Sequence, residues 1–184
     1  RSRGAAMADF LAALRTASAD MQSYRNEVPF SIITYIKDFS STVSRCEPLL
    51  HESLLPVMYF LDEHFVHAHE KLPPAFCHGD FHPLNVIWGP DSIRAVIDWE
   101  FAGMKPEIYD IALLIGCIGI EDPEGLFGEM VRQFINTARE KGYISGISWD
   151  NLLEFVVAIR FAWMAEWLRK CDVEMVELEL AYLN

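Results

Sequence analysis

His78-Gly79-Asp80-Phe81-His82-Pro83-Leu84-Asn85, followed further on by Ile97-Asp98-Trp99-Glu100, decides how this chain is read. The first segment places a carboxylate, Asp80, ahead of an amide, Asn85, with Pro83 between them. The second adds Asp98 at the end of the apolar run Ala95-Val96-Ile97. Phosphoryl transfer needs such a set: a carboxylate to orient a hydroxyl and accept its proton, and an amide oxygen plus a second carboxylate to hold Mg²⁺ on nucleotide phosphates. Asp80 is therefore the candidate base, and Asn85 and Asp98 are the candidate Mg²⁺ ligands. Taken alone, Asp80 is equally well a turn residue capping local backbone N–H groups. The added Asp98 makes chance a poor account of the pattern.

The surroundings put these residues on loops. Residues 75–77 and 86–88 are short and strand-like, and Gly89-Pro90-Asp91-Ser92 predicts a turn into a further strand over 93–97. Most of the remainder reads as helix. Met7, Phe10, Leu11 and Leu14 recur at helical spacing over 5–18. The segment opened by Pro29, with Phe30, Ile32, Ile33, Tyr35 and Ile36, is read as helix, although Ile and Tyr suit a strand as well. A longer helix is expected over about 52–71, with Pro56 in its first turn and Pro73-Pro74 stopping it. Beyond Gly103, helices are expected over 109–119, 123–141, 148–170 and 172–183; residues 152–168, apolar nearly all round, predict a buried central helix.

A chain of 184 residues, 52% apolar and 23% charged, is expected to fold as one globular domain. Its net charge of -12 and lack of a basic run argue against a nucleic-acid partner and suit a cationic substrate. Cys46, Cys77, Cys117 and Cys171 form no C-x-x-C pair, so neither a zinc site nor a disulfide framework is expected, and reduced thiols point to the cytoplasm. The longest apolar run, 111–120, is half of the roughly 20 residues that cross a bilayer, so no membrane span is expected. Arg1-Ser2-Arg3-Gly4 leads into an Ala-rich amphipathic segment unlike a signal peptide.

The order of the motifs matches the H-x-D-x-x-x-x-N loop of protein kinases and their later metal-binding Asp. More specifically, residues 78–112 resemble the aminoglycoside phosphotransferase and choline kinase superfamily of small-molecule kinases. Its pattern is an H-G-D-x-H-x-x-N loop, an I-D-[WFY]-E-like metal strand, and a downstream Pro and D-[LI]-A, here Pro106 and Asp110-Ile111-Ala112. The resemblance implies a mainly α (α+β) fold: the helical C-terminal lobe of the protein-kinase-like fold, with a short β hairpin carrying the catalytic and metal-binding loops. It implies ATP as co-substrate, Mg²⁺, Asp80 as base, and Asn85 and Asp98 on the metal. His78 and His82 would support the loop. Asp110 would anchor it through backbone N–H bonds, though a helix N-cap explains that residue equally well. Glu100 would orient a metal-bound water or be an exposed structural acid.

The acceptor is left open among an aminoglycoside-like amino sugar, choline or ethanolamine, and homoserine. Residues 97–104 look like bacterial choline-kinase relatives, but the metal strand does not select the acceptor. Phe161, Trp163 and Trp167 could face a quaternary ammonium ion, yet the two Trp lie at i, i+4 on an apolar helix, where core packing is expected. A zinc pair of His78 and His82 would need a helix, which Gly79 and Pro83 oppose, and His64, His67 and His69 read as a solvated face. Gly4 is the only glycine before Gly79, and Lys37 and Lys71 lie in no V-A-I-K strand. The resemblance thus implies that the N-terminal nucleotide-binding lobe is absent and that the chain starts just past the hinge. Self-association through the face so exposed is expected. The rival from another class is a kinase-like binding module that transfers no phosphate.

Overall fold

A computed structural model describes residues 2–20, 28–90 and 92–183, so that Asp91 of the expected turn lies outside the described residues. The order is α1 (Arg3–Ser18), α2 (Ile32–Cys46), α3 (Pro48–His64), α4 (Val66–His69), β1 (Pro74–Cys77), β2 (Val86–Trp88), β3 (Ile93–Val96) and β4 (Gly103–Pro106). It continues with α5 (Tyr109–Glu121), α6 (Glu129–Lys141), α7 (Gly146–Asp150), α8 (Leu152–Lys170) and α9 (Val173–Leu183). Tight 3-10 turns occupy Pro83–Asn85 and Pro123–Phe127. The mainly helical class with a small β component is as the sequence implies. Among the described residues no helix is long and apolar enough to cross a membrane.

Two compact units are formed: α1 and Phe30 join residues 72–150, and residues 31–71 join 151–184. In the first, α1 packs on α6. Ser2 Oγ caps α1 by accepting the Ala5 N–H at 3.3 Å, and Gly4, Ala5, Met7, Ala8 and Leu11 form its buried face. Gly4 is required there, because a Cβ would collide with the Met130 carbonyl oxygen. Val131, Phe134 and Ala138 of α6 complete the contact face. Both sheets of this unit have two antiparallel strands: β1 pairs with β4, Cys77 opposite Gly103, and β2 with β3, Val86 opposite Val96.

In the second unit the ambiguous Ile/Tyr segment is helical. Ser31 Oγ accepts the Thr34 N–H at 3.2 Å, an N-cap that turns Ile32, Ile33, Ile36, Phe39 and Val43 onto one buried stripe. Phe39 meets Phe161 edge-on at 5.9 Å, and Phe65 meets Phe155 at 5.6 Å. The helix expected over 52–71 is two: α3 starts at Pro48, where a fixed φ suits the first turn, so Pro56 is interior, and the helix breaks at Phe65. The stretch 123–141 is likewise divided at Gly128, and 148–170 at Asn151. Helix α8 buries one side only, through Phe155, Ala158, Ile159, Phe161 and Met164, while Leu153 is 67% exposed. Trp163 and Tyr182 stack on the Arg160 guanidinium at 4.9 and 4.8 Å, and Arg160 pairs with buried Glu179 at 2.7 Å. The solvated-face expectation for the helix histidines needs a correction: His69 stacks against Phe155 at 6.2 Å and meets Phe65 edge-on at 5.5 Å.

Candidate active site

The two motifs converge because of how the strands pair. The 78–85 loop leaves β1 and enters β2; the 97–102 loop leaves β3 and enters β4. Since β1 pairs with β4 and β2 with β3, each loop is held beside the other at both ends. Direct bonds then close the gap. The Ile97 N–H donates to the Asn85 carbonyl at 3.0 Å, and His78 Nε2 lies 3.0 Å from the Ile97 carbonyl. The Asp80 N–H donates to His78 Nδ1 at 3.2 Å, which leaves the ring proton on Nε2 to bond Ile97. His78 is fully buried and its ring centre lies 4.4 Å from that of Trp99. It therefore links the Asp80 loop to the chain just ahead of Asp98.

Asp80 is held from two sides. Asn85 Nδ2 donates to Asp80 Oδ2 at 2.8 Å and to the Asp80 carbonyl at 2.9 Å, and His82 Nε2 lies 3.5 Å from Oδ2. Burial pushes the Asp80 carboxyl up, but His82, Asn85 and the nearby His78 outweigh it, and the group lies below its ordinary range. Behind the loop, buried Asp110 accepts the His78 N–H on one oxygen and the Gly79 N–H on the other, each at 2.8 Å. Burial pushes Asp110 up, and those two N–H bonds pull it back. Ile108, not Asp110, is the N-cap of α5, and it makes no side-chain cap bond. The Asp110 carboxylate thus serves the loop, where two inward-facing N–H groups would otherwise be unmet.

Asp98 has φ of 65°, the left-handed region that costs a non-glycine residue strain and that Asp tolerates better than most. It is exposed, as is Glu100, which sits in a turn closed by the Ala102 N–H on the Trp99 carbonyl at 3.0 Å. Because Asn85 donates through Nδ2, its Oδ1 is the atom that can meet a metal, and Asp98 adds a carboxylate. Two hard oxygen donors fit Mg²⁺, which keeps several waters and takes its other ligands from phosphates. Among the described residues no group of three or more His, Cys, Asp or Glu could hold a metal by itself.

Arg15 and Lys105 were not singled out by the sequence. Arg15 donates to the carbonyls of Phe76 at 3.2 Å and Glu107 at 3.1 Å, tying α1 to β1 and to the residue that follows β4. As a cation in the last turn of an amphipathic helix it reads as a surface charge. Lys105 is a lone lysine on β4, itself too short to announce a strand.

A model of the phosphotransferase enzyme family, APH, matches residues 1–143. Homoserine kinase of Rhodopseudomonas palustris (strain BisA53) is 28% identical over 133 residues, covering 72% of this chain and 40% of that protein. Homoserine kinase of Beijerinckia indica subsp. indica is 30% identical over 118 residues, covering 61% of this chain and 35% of that protein. The chain thus spans two fifths or less of the length of these curated relatives. The GDP complex of wild-type aminoglycoside 2'-phosphotransferase-IIIa superposes with a TM-score of 0.60 at 20% identity, covering 97% of this chain and 61% of that one. The GDP and kanamycin complex of APH(2")-IIia gives a TM-score of 0.62 at 20% identity, covering 97% and 62%. At that identity the likeness is one of fold.

Proposed function

Since this chain belongs to the phosphotransferase enzyme family, we propose that it carries the catalytic loops of a small-molecule kinase that moves the γ-phosphoryl group of ATP to a hydroxyl. The observation that carries this is the Asn85 amide, which donates through Nδ2 to the Asp80 carboxylate at 2.8 Å and so leaves Oδ1 as the oxygen available to a metal. Asp80, kept ionised by His82 and Asn85, accepts a hydrogen bond from the acceptor hydroxyl, orients it and takes its proton. Asn85 Oδ1 and Asp98 would hold Mg²⁺, which supplies charge neutralisation on the phosphates when bound. His78, His82 and Asp110 keep these groups in register, and positioning is most of the catalysis in this chemistry. Glu100, exposed beside Asp98, is a candidate to orient a metal-bound water.

The acceptor we propose is a hydroxylated small molecule that carries an ammonium group. Homoserine, named for the curated relatives, is a net-neutral zwitterion with a hydroxyl and an ammonium, whereas an aminoglycoside, named for the structural ones, is a net cation, as are choline and ethanolamine. A net charge of -12 favours approach of such cations.

The test is Mg²⁺-dependent turnover of ATP, with GTP alongside, by the protein as its gene encodes it, against homoserine, choline, ethanolamine and kanamycin. Turnover should fall at least about 100-fold in Asp80→Asn, the share a positioned base contributes. No turnover with any acceptor, or an unchanged Asp80→Asn rate, would sink the kinase proposal and leave a binding module.

A further inference from the structure

Lys105 stands on β4 opposite Ala75 and is only 9% exposed. An ammonium is strongly hydrated, so burying one costs free energy unless the protein replaces the water. Here the replacement is aromatic. The Lys105 Nζ sits over the Phe30 ring at 4.9 Å and the Tyr109 ring at 5.0 Å, and these two rings meet edge-on at 5.9 Å. Phe30 is itself pinned to the same strand, its N–H donating to the Met104 carbonyl at 2.8 Å.

The far end of this side chain bears on the 78–85 loop and on the residue that holds it. A Cβ built on Gly79 would come within 2.8 Å of Lys105 Cε, so the lysine stem runs against the glycine whose N–H Asp110 holds. The ammonium is attracted by Asp110, although burial prevails and lowers its pKa. Attraction between charges is mutual, so the same ammonium favours the ionised form of Asp110, the form able to accept both the His78 and Gly79 N–H groups. Arg15, whose Nη atoms bond the Phe76 and Glu107 carbonyls, favours that form as well.

Resting on the assignment of Asp80 as base, we propose that Lys105 is a positioning residue that braces Gly79 and sustains the charge of Asp110, and so holds the loop that presents Asp80. It acts through Gly79 and Asp110.

The decisive measurement is amide hydrogen exchange by NMR in protein without nucleotide or acceptor. In Lys105→Met, which keeps the stem and removes the charge, the His78 and Gly79 amides should exchange about tenfold faster or more, as expected when charge-assisted bonds weaken. The Phe134 and Ala138 amides of α6 should keep their rates. Lys105→Arg, which retains the charge and can stack on the rings, should restore protection to within about threefold. The proposal falls if His78 and Gly79 are unaffected, if all amides accelerate together, or if Lys105→Arg exchanges as fast as Lys105→Met. Should Lys105→Met not fold, Lys105→Gln gives the same comparison. Because exchange is read without substrate, failure here leaves the Asp80→Asn test standing, and absence of turnover leaves this result standing.

Discussion

Asp110→Asn isolates the anchor of the 78–85 loop with almost no change of volume. In the native site both carboxylate oxygens accept at 2.8 Å, one from the His78 N–H and one from the Gly79 N–H. The amide keeps one acceptor and turns an NH₂ group against the other N–H. One charge-assisted bond is lost, at about 1.5–3 kcal/mol, and a buried N–H is left unmet, at about 1–3 kcal/mol. Part of this returns, because burial already pushes the Asp110 carboxyl up and removing its charge relieves that penalty. The net cost is then roughly 2–4 kcal/mol. Urea unfolding followed by circular dichroism measures it, with amide exchange at His78 and Gly79 locating it. Asp110→Ala, which leaves both N–H groups unmet, should cost at least as much. If Asp110→Asn stays within about 0.5 kcal/mol of the native protein, the size of an ordinary surface change, and both amides remain protected, the anchoring argument is refuted.

Gly79→Ala should destabilise the loop, since Gly79 has φ of 87° and a Cβ would strike the Phe101 carbonyl oxygen; left-handed φ alone costs about 1–2 kcal/mol. Loss of turnover together with a lower unfolding midpoint checks it. Gly4→Ala, helix-favouring in isolation, should instead cost about 1–3 kcal/mol by pushing α1 off the Met130 carbonyl of α6, and an unchanged thermal midpoint would contradict that contact. In the second unit, burial lowers the His69 pKa below 6.5, with Glu70 opposing. The unfolded state therefore binds more protons below 6.5, so the stability His69 contributes is present above that pH and is lost as pH falls through its folded value. The urea midpoint reported by tryptophan fluorescence should drop as pH falls below about 6.5, and His69→Phe should flatten that dependence.

The contacts within the 78–85 loop were legible because they are local. Asp80, His82 and Asn85 lie within one short loop and meet through contacts their spacing allows. The hairpin of β2 and β3 was legible for the same reason, with a turn between adjacent strands. Strand β4 was not, because Gly103-Met104-Lys105-Pro106 has neither alternation nor β-branched residues. It is a strand only because β1 lies beside it. Helix limits were misjudged where Pro48, Phe65 and Gly128 act, since packing decides whether a Pro starts a helix or sits inside it, and where a run of apolar residues breaks. The aromatic residues of α8 illustrate the same limit from the other side. Trp163 could be assigned to packing from its spacing, but its stacking on Arg160 depends on α8 itself and on the Glu179 partner brought by α9.

By itself, the sequence determined the helical character of most of the chain, the order of the motifs over 78–85, 97–100 and 110–112, and the family to which they point, because periodicity and short motifs are carried by neighbouring residues. The tertiary structure decided what the sequence left open, that Asp110 bonds the His78 and Gly79 amides rather than capping a helix and that His78 reaches Ile97, and it alone brought Arg15 to β1 and the residue after β4, and Lys105 under Gly79. Each of these joins residues far apart in the chain, and a buried N–H or a buried charge finds its partner by position in space, a property that no local pattern encodes.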